Sequence, residues 1–378
     1  MNFDFTEEQV MLRDSVARFI ADNYDFDTRQ NIAGSDEGMS RDNWQTFAEL
    51  GWLSIPFAEE HGGFGGSAVD IMLMMEQLGK GLVLEPYLAT VLLFGGLLQQ
   101  GGSVEQQADY IPKIVDGSCL GAFAYLERQS RFELADVKTS ALAHGDGYSL
   151  NGEKVVVFNG ANADHVIVCA RTSGKAADEQ GISLFLLATD APGVEKLSYR
   201  MMDGQVVANL VFTDVQVPAA NLVGELDGGY HLLESVVMDA SLAVAAEAVG
   251  IMEQLNAKTL EYTKTREQFG VAIGSFQALQ HRMVDTFMAY EQTRSLLYRA
   301  VCVMTDERED AATAIHALKV MVDRAGKQVL GEAIQLHGGM GITDELDIGH
   351  YAKRLMMINT SFGNGDHHQA KFSALRYN

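Results

Sequence analysis

The chain has 378 residues, 47% of them hydrophobic, and a formal net charge of −23. The hydrophobic content is enough for a globular fold, so the chain need not be disordered. The negative charge argues against nucleic acid, whose phosphates need a basic protein face. We see no run of about 20 apolar residues and expect no membrane span. Three widely spaced cysteines, Cys119, Cys169 and Cys302, predict reduced thiols in a cytoplasm rather than disulfides or a metal site.

Residues 1–118 are predicted to be helical. Apolar residues recur at helical spacing from Glu7 to Ile20, and Thr6 is placed to cap that helix. Further amphipathic runs cover residues 44–53, 69–79 and 88–99.

Residues 119–225 change to short β-type runs that glycine, aspartate and asparagine interrupt. Asn151-Gly152 and Asn159-Gly160 are typical of hairpin turns. The segment therefore predicts a small, mostly antiparallel β-domain.

Residues 226–378 return to long helices with one apolar face, predicted at 230–265, 276–305 and 309–338, with a final run from His367. Consecutive long helices predict a four-helix bundle, which is also a common oligomer interface. The chain is thus predicted to be α+β, with an N-terminal helical domain (1–118), a middle β-domain (119–225) and a C-terminal helical bundle (226–378).

The segment between two of these helices has residue types suited to a nucleotide diphosphate. Arg266, Phe269 and Gln277 place a cation, an aromatic ring and an amide around a glycine-containing turn. In so acidic a chain, an anionic ligand needs such local donors. The alternatives are a surface ion pair of Arg266 with Glu267 or Glu261, and ordinary bundle packing of Gln277.

A second segment, Gln335 to Gly341, is rich in glycine. Gly338 and Gly339 allow the backbone to approach an anion closely and to direct N–H groups at it. The alternative is a glycine turn that only ends a helix.

These segments resemble motifs of the acyl-CoA dehydrogenase family. Segment 266–277 matches the flavin-binding signature R-x-x-F-G-x-x-I-x-x-F-Q at every fixed position, and segment 335–341 resembles Q-x-x-G-G-x-G. Segments 61–66, 150–154 and 158–160 resemble the family's Gly-Gly-x-Gly-Gly, L-N-G-x-K and T-N-G motifs, so the likeness covers nearly the whole chain.

The resemblance implies the family's fold, FAD as cofactor, an acyl-CoA thioester as substrate and α,β-desaturation as the reaction. It also implies an electron-transfer flavoprotein or a similar protein as electron acceptor. In the family, the residues that match Arg266, Gln277, Gln335, Gly338 and Gly339 hold the ADP half of a flavin whose ring sits in the neighbouring subunit.

The chain departs from the family where the flavin ring is held. In the A-x-T-E-P motif, Glu127 matches, but Leu126 and Arg128 replace threonine and proline. In the W-I-T-N motif, Val156 and Phe158 replace tryptophan and threonine. Neither replacement side chain donates a hydrogen bond, so we expect the polar tuning of a bound ring to be lost.

The family's catalytic glutamate, in the tail motif Y-E-G-T, is also predicted to be absent. Its position falls on Gly363 when the aromatic residue anchors the comparison and on Asn364 when the last arginine does. Some relatives carry the base on the first long helix of the last domain, at a position that is Ala240 here. The acyl-pocket arginine, one position further, is Ser241.

Three carboxylates are the remaining candidates for a base. Asp239 adjoins Ala240 but should face elsewhere, because one step turns a side chain about 100° around a helix. Asp366 adjoins two histidines, and the alternative for it is a helix N-cap. Glu247 is expected to be packed or paired.

The residues that match the family are those that hold the ADP part of a neighbour's flavin, and the altered ones are those that hold the ring and supply the base. This division leads to a hypothesis about the assembly. The tail F-G-x-x-D-H-H resembles heteromeric bacterial members, such as the small subunit of pimeloyl-CoA dehydrogenase and the paired subunits that act on steroid side-chain CoA thioesters. The resemblance implies an α2β2 assembly in which a homologous catalytic subunit carries the competent site. The alternatives are a self-sufficient flavoenzyme with a non-standard base, a non-redox acyl-CoA-binding scaffold, and a flavin-containing relative with another reaction.

Overall fold

The computed structural model describes residues 5–306 and 310–377 and divides the chain into two compact units. The first unit comprises residues 1–31, 67–83 and 241–378, and the second comprises residues 32–66 and 84–240. Helices come first along the chain, then a sheet, then helices again, which confirms the predicted α+β class. The three domain boundaries stay a prediction.

Helices make up most of the first unit. In chain order the helices of the described chain are α1 (Glu7–Asn23), α2 (Phe26–Gly34), α3 (Arg41–Glu49), α4 (Ala68–Gly81), α5 (Gly96–Gly101), α6 (Val104–Val115), α7 (Gly229–Thr265), α8 (Gln277–Asp306), α9 (Ala311–His337), α10 (Ile348–Thr360) and α11 (Gly365–Tyr377). A π-helical segment, Tyr87–Gly95, precedes α5, and together these two cover the run predicted at 88–99.

The start of α1 is as predicted. The hydroxyl of Thr6 accepts from the backbone N–H of Gln9 at 3.2 Å, and the Gln9 side chain accepts from the Thr6 N–H at 3.1 Å. This reciprocal capping box satisfies two amide groups that a helix start otherwise leaves without partners.

Helix α7 is 37 residues long, and an 18-residue window of it has a mean hydropathy of 1.6. By length and composition alone this helix is able to cross a membrane, although Asp239 and Glu247 interrupt its apolar residues. Because 83% of the window is buried inside the protein, its apolar side chains belong to the core.

Within the first unit, α4 and α7 cross at two glycines. A Cβ atom on Gly79 would overlap the backbone carbonyl of Glu247, and one on Gly250 would overlap the carbonyl of Glu76. Only glycine lets two helix backbones approach this closely. The crossing therefore seats the middle of α7 directly against α4.

The side chain of Glu247 forms a buried ion pair with Arg354 of α10. The guanidinium donates from Nε to Oε1 at 2.5 Å and from Nη2 to Oε2 at 2.7 Å. The two side chains are only 8% and 6% exposed. Paired hydrogen bonds of this kind offset the free-energy cost of removing two charges from water.

The helices predicted after residue 226 are present, with one addition. The predicted runs 230–265 and 276–305 match α7 and α8 to within one residue at each end. Glu309, the predicted start of the next helix, lies outside the described residues, and α9 ends at His337. Helix α10 was not predicted, although its buried Ile348, Tyr351 and Leu355 recur at helical spacing.

The second unit contains an eight-stranded sheet in the order β6-β7-β3-β2-β4-β5-β8, with β1 paired to β4. The strands are β1 (Gly121–Ala124), β2 (Ser140–His144), β3 (Gly147–Phe158), β4 (His165–Arg171), β5 (Ile182–Ala188), β6 (Val194–Arg200), β7 (Val206–Pro218) and β8 (Leu222–Val223). All pairs are antiparallel except β1–β4 and β2–β4. Leu150, Val166, Phe185 and Leu210 are among its fully buried core residues.

The hairpin turns predicted in this unit were wrong. Asn151 and Gly152 lie inside β3, where the register against β7 shifts between Leu150 and Gly152. Gly152 has φ +149°, and a Cβ there would lie 2.6 Å from the Thr139 hydroxyl, so the glycine serves a β-bulge. Asn159-Gly160 does form a turn, but the strands on either side both pair with β2 and not with each other.

The buried ion pair gives a stability prediction. Arg354→Met leaves the Glu247 carboxylate buried without its partner, so we expect a loss of about 3–5 kcal/mol in the free energy of unfolding. The control is Arg41→Met, which breaks the exposed pair of Arg41 with Glu37 and should cost at most about 1 kcal/mol. Denaturant unfolding measures both, and equal losses would contradict the assigned role of the buried pair.

Candidate functional site

Arg266 directly follows α7 and is exposed. Its backbone is fixed, because its N–H donates to the Tyr262 carbonyl and its carbonyl accepts from the Ile273 N–H, both at 2.8 Å. Glu261 pairs instead with Lys264 at 2.7 Å. Within the described residues the Arg266 guanidinium has neither an ion pair nor a hydrogen bond, so the alternative of a surface ion pair is not formed.

Phe269 lies at the tip of a short hairpin made by β9 (Glu267–Gln268) and β10 (Val271–Ala272). Phe269 and Gly270 have φ values of +54° and +80°, the pattern of a two-residue type I′ turn. An aromatic residue rarely adopts such a conformation, and this one is 92% exposed. Its ring meets the Phe276 ring edge-on at 6.2 Å.

Gln277 is the first residue of α8 and is exposed. Its amide has no hydrogen bond within the described part of the chain. Both polar ends of the 266–277 segment, the Arg266 guanidinium and the Gln277 amide, are therefore available to a ligand.

The glycine-rich segment lies at the end of α9. Gly338 has φ +62°, and its N–H donates to the Gln335 carbonyl, so it ends the helix as the alternative predicted. The segment is also open, because a Cβ on Gly338 or Gly339 would meet no atom within 4 Å. The Gln335 side chain is exposed as well. The same glycines therefore end α9 and leave its terminal backbone open to a ligand.

A contact that sequence reasoning did not identify joins these two segments. The rings of Tyr262 and His337 stack with centroids 4.3 Å apart, and the Tyr262 hydroxyl donates to the His337 carbonyl at 3.4 Å. Burial lowers the pKa of His337, whose Nδ1 lies 2.8 Å from the Ala333 carbonyl. The pair brings the turn before Arg266 next to the end of α9. Its only signal in the sequence is an aromatic residue one turn before Arg266.

In the second unit, Glu127 is a structural residue. Its buried carboxylate accepts from Lys154 Nζ at 2.7 Å and from the backbone N–H groups of Lys138 and Thr139, each at 2.9 Å. Burial alone would raise the pKa of Glu127, but the Lys154 charge and these hydrogen bonds lower it to about 2. The carboxylate therefore holds the loop after β1 and has no free oxygen for chemistry.

The end of β3 carries the residues that replace the W-I-T-N motif. Val156 sits at a bulge with φ +53°, and its N–H donates to the Asn209 side chain at 3.2 Å. Phe158 is half-buried. Asn159, which matches the motif, is buried and donates to the Gly121 carbonyl at 3.3 Å. Neither replacement side chain offers a hydrogen-bond donor here.

Neither position proposed for the catalytic glutamate has a carboxylate. Gly363 is buried with φ +116°. The Asn364 side chain accepts from the His367 N–H at 3.0 Å, so Asn364 caps α11. Asp366 is exposed in the first turn of that helix. The expectation that Asp366 is the N-cap was therefore wrong.

The two other carboxylates have partners. Asp239 is half-buried, and its Oδ2 accepts from the Gln100 side chain at 3.0 Å. Glu247 is held by Arg354, as expected for a paired residue. Ala240 and Ser241 are buried, at 0% and 2% exposure.

The donor set of the first unit fits the diphosphate of FAD. Arg266 supplies a cation whose planar fork matches two phosphate oxygens. Gln277 and Gln335 supply amides, and Gly338 and Gly339 supply open backbone. These groups are exposed, so an anion reaches them without displacing a packed side chain.

Comparison with known proteins agrees with this chemistry. Residues 6–118, 122–215 and 227–370 match the N-terminal, middle and C-terminal domains of acyl-CoA dehydrogenase. The chain is 31% identical to the probable acyl-CoA dehydrogenase YngJ of Bacillus subtilis (strain 168), over 97% of each chain.

Solved structures give the same result. The FAD complex of PigA shares 28% identity and a TM-score of 0.92, with 99% of each chain covered. A variant of the Tcur3481–Tcur3483 steroid acyl-CoA dehydrogenase shares 26% identity and a TM-score of 0.88, covering 98% of this chain and 97% of that one. The predicted fold and the predicted cofactor FAD are confirmed. This chain belongs to the acyl-CoA dehydrogenase family of FAD-dependent oxidoreductases that act on CH–CH bonds.

Proposed function

We propose that this chain is the partner subunit of a heteromeric acyl-CoA dehydrogenase. Its C-terminal helices grip the ADP half of a FAD whose ring and catalytic base belong to a second, homologous chain. The observation that carries the proposal is that Arg266 is exposed and unpaired within the described residues, although the chain is strongly acidic.

An unpaired arginine is informative in this setting. Glu261 and Glu267 are close in sequence, and Glu261 is taken by Lys264. An exposed cation with no internal role is available to an anion from outside the chain. A diphosphate is the best match, because the guanidinium fork and the open glycines recognise its oxygens together.

An exposed apolar surface surrounds the same sequence segment. Phe269 is 92% exposed at a strained turn position, with an edge-on contact to Phe276. Helix α8 adds exposed apolar residues at helical spacing, and the loop after α9 adds another. The surface consists of Phe269, Phe276, Val284, Phe287, Met288 and Ile342. Exposed apolar residues on this scale favour a protein partner.

The occupant of that surface is a homologous acyl-CoA dehydrogenase chain, since a diphosphate gripped here still needs a flavin-ring site. The ring segment of this chain is poorly suited to the task. Leu126, Val156 and Phe158 lack donors for the ring, and Glu127 is committed to Lys154.

The proposal also assigns the base to the partner. Gly363 and Asn364 carry no carboxylate, and Glu247 is neutralised by a buried arginine. Asp239 is bound by Gln100, and Asp366 is exposed in the first turn of α11. A proton on the α-carbon of an acyl thioester needs a positioned base, which none of these groups provides.

The resemblance to the family supports the proposed substrate class and electron acceptor. FAD, when bound, accepts a hydride from the β-carbon of an acyl-CoA thioester, and an electron-transfer flavoprotein or a similar protein reoxidises it. This chain's residues bind and orient the cofactor. We propose an α2β2 assembly in the cytoplasm, in keeping with the resemblance to a steroid acyl-CoA dehydrogenase.

The first prediction concerns the chain alone. Purified without a partner, it should be colourless and should show no acyl-CoA-dependent dye reduction, because its ring site lacks donors and base. Co-expression with a homologue encoded next to it should yield a yellow, active complex. Visible spectra and dye reduction measure both states. A yellow and active single chain would contradict the proposal, and a complex without flavin would favour a scaffold role.

The second prediction concerns Arg266 in that complex. Arg266→Ala removes a charge-assisted hydrogen bond worth about 1.5–3 kcal/mol, so the FAD dissociation constant should rise roughly 10- to 100-fold. The control is Lys264→Ala, which removes a nearby cation that is already paired with Glu261 and should leave the constant unchanged. FAD titration of the apo-complex measures both. An unchanged constant for the Arg266 variant would show that this residue does not hold the cofactor.

A further inference from the structure

One face of α9 contacts the segment that joins α10 to α11. His316, Lys319 and Asp323 are three and four residues apart, so they lie on the same side of the helix. Each contacts residues 361–365 or the first turns that flank them. This face of α9 therefore packs against the segment that contains Gly363.

Lys319 holds the start of the segment. The side chain is 2% exposed, and its Nζ donates to the carbonyls of Ile358 at 3.0 Å and Ser361 at 2.8 Å. Burial lowers the pKa of this lysine to about 7, against a smaller opposing effect of Asp323. The amine thus donates to two carbonyl groups at the end of α10, where a helix leaves carbonyls in need of partners.

His316 holds His368, in the first turns of α11. The two Nδ1 atoms are 2.8 Å apart, so one imidazole donates to the other, and the ring centroids are 5.1 Å apart. His368 is 2% exposed. A buried ring with a hydrogen bond on one nitrogen does not rotate freely, so His368 has a fixed position.

Gly363 lies directly against the fixed imidazole. A Cβ there would be 2.7 Å from His368 Nε2 and 2.7 Å from His367 Cδ2, closer than real Cβ contacts. Its φ of +116° is also a conformation that residues with a side chain rarely adopt. Space is also limited at the neighbouring Gly365, because a Cβ on it would lie 2.5 Å from the Asp323 carboxylate.

We propose that His316 and His368 are positioning residues that keep position 363 closed to any side chain. Gly363 is one of the two candidate positions for the family's base, and a side chain there has no space beside the backbone because imidazole occupies it. The link to a base rests on the proposed function, whereas the exclusion of a side chain rests on the packing of the first unit.

A thermodynamic cycle on the purified chain tests the exclusion. Gly363→Ala should lower Tm by roughly 2–6 °C from overpacking, beyond the loss in a control. The control is Gly62→Ala, which has φ +83° but no atom within 4 Å of its Cβ. In a His367→Ala, His368→Ala background the cost of Gly363→Ala should shrink to that of the control. His316→Ala alone should reduce the cost in part, because it releases His368. Strictly additive Tm changes would overturn the proposal.

The proposed function fails separately from this exclusion. A wild-type chain that is yellow and active alone would contradict the proposed function but leave the Tm cycle intact.

The same pair predicts an acid sensitivity. Burial lowers the pKa of His316 to about 4 and of His368 to about 2, and nearby His367, Lys319 and Lys371 act in the same direction. Asp323, on the same face of α9, is engaged by Lys327 at 2.7 Å. The unfolded chain, with histidine pKa near 6.5, takes up protons first as the pH falls. The stability that the neutral pair provides is therefore complete above about pH 6.5 and is lost progressively below it.

The measurement is Tm between pH 7.5 and 4.5. A His316→Leu, His368→Leu variant should lose less Tm over this range than the wild type. The control is His144→Gln, which changes an exposed histidine at the end of β2 and should follow the wild type. Parallel curves for the wild type and the double variant would contradict a buried neutral pair.

Discussion

The stacking of Tyr262 on His337 is the contact on which the proposed cofactor grip depends. Arg266 and Gln335 belong to segments far apart in sequence, at the ends of α7 and α9. The ring contact of 4.3 Å and the hydrogen bond to the His337 carbonyl hold those helix ends together. The contact does not involve the Arg266 guanidinium or the Gln335 amide, so it joins the two segments and leaves those groups available. A binding surface requires supporting contacts of this kind.

The two units differ in how their matching residues are used. In the first unit, the Arg266 guanidinium and the Gln277 amide are exposed and, within the described chain, have no ion pair or hydrogen bond. In the second unit, the matching Glu127 is buried and shared among Lys154 and backbone amides. A residue that matches the family is therefore an exposed polar group in one unit and part of the loop structure in the other. That contrast is the physical basis for proposing a shared cofactor.

Much of the fold was predictable because its signals are local. Thr6 and Gln9 form a cap through neighbouring residues, and α7 and α8 follow a continuous apolar period. Asn151-Gly152 failed as a turn signal, because pairing with β7 turned the same dipeptide into a bulge. Local sequence does not reveal which strand pairs with which.

The candidate site was predictable only in its residue types. Arg266 and Gln277 were identified from a motif, but their lack of partners depends on where Lys264 and the glutamates point. The packing of His368 against Gly363 involves residues that adjoin in sequence, yet its rigidity comes from His316 on another helix. Such long-range contacts leave no periodic signal in a single sequence.

The central claim is that the flavin gripped by this chain belongs to another chain's active site. Native mass spectrometry of the purified complex tests it most directly, because it counts chains and cofactors together. The account predicts equal numbers of two homologous chains and one FAD for each pair. A homo-oligomer of this chain that carries one FAD per subunit would contradict the account.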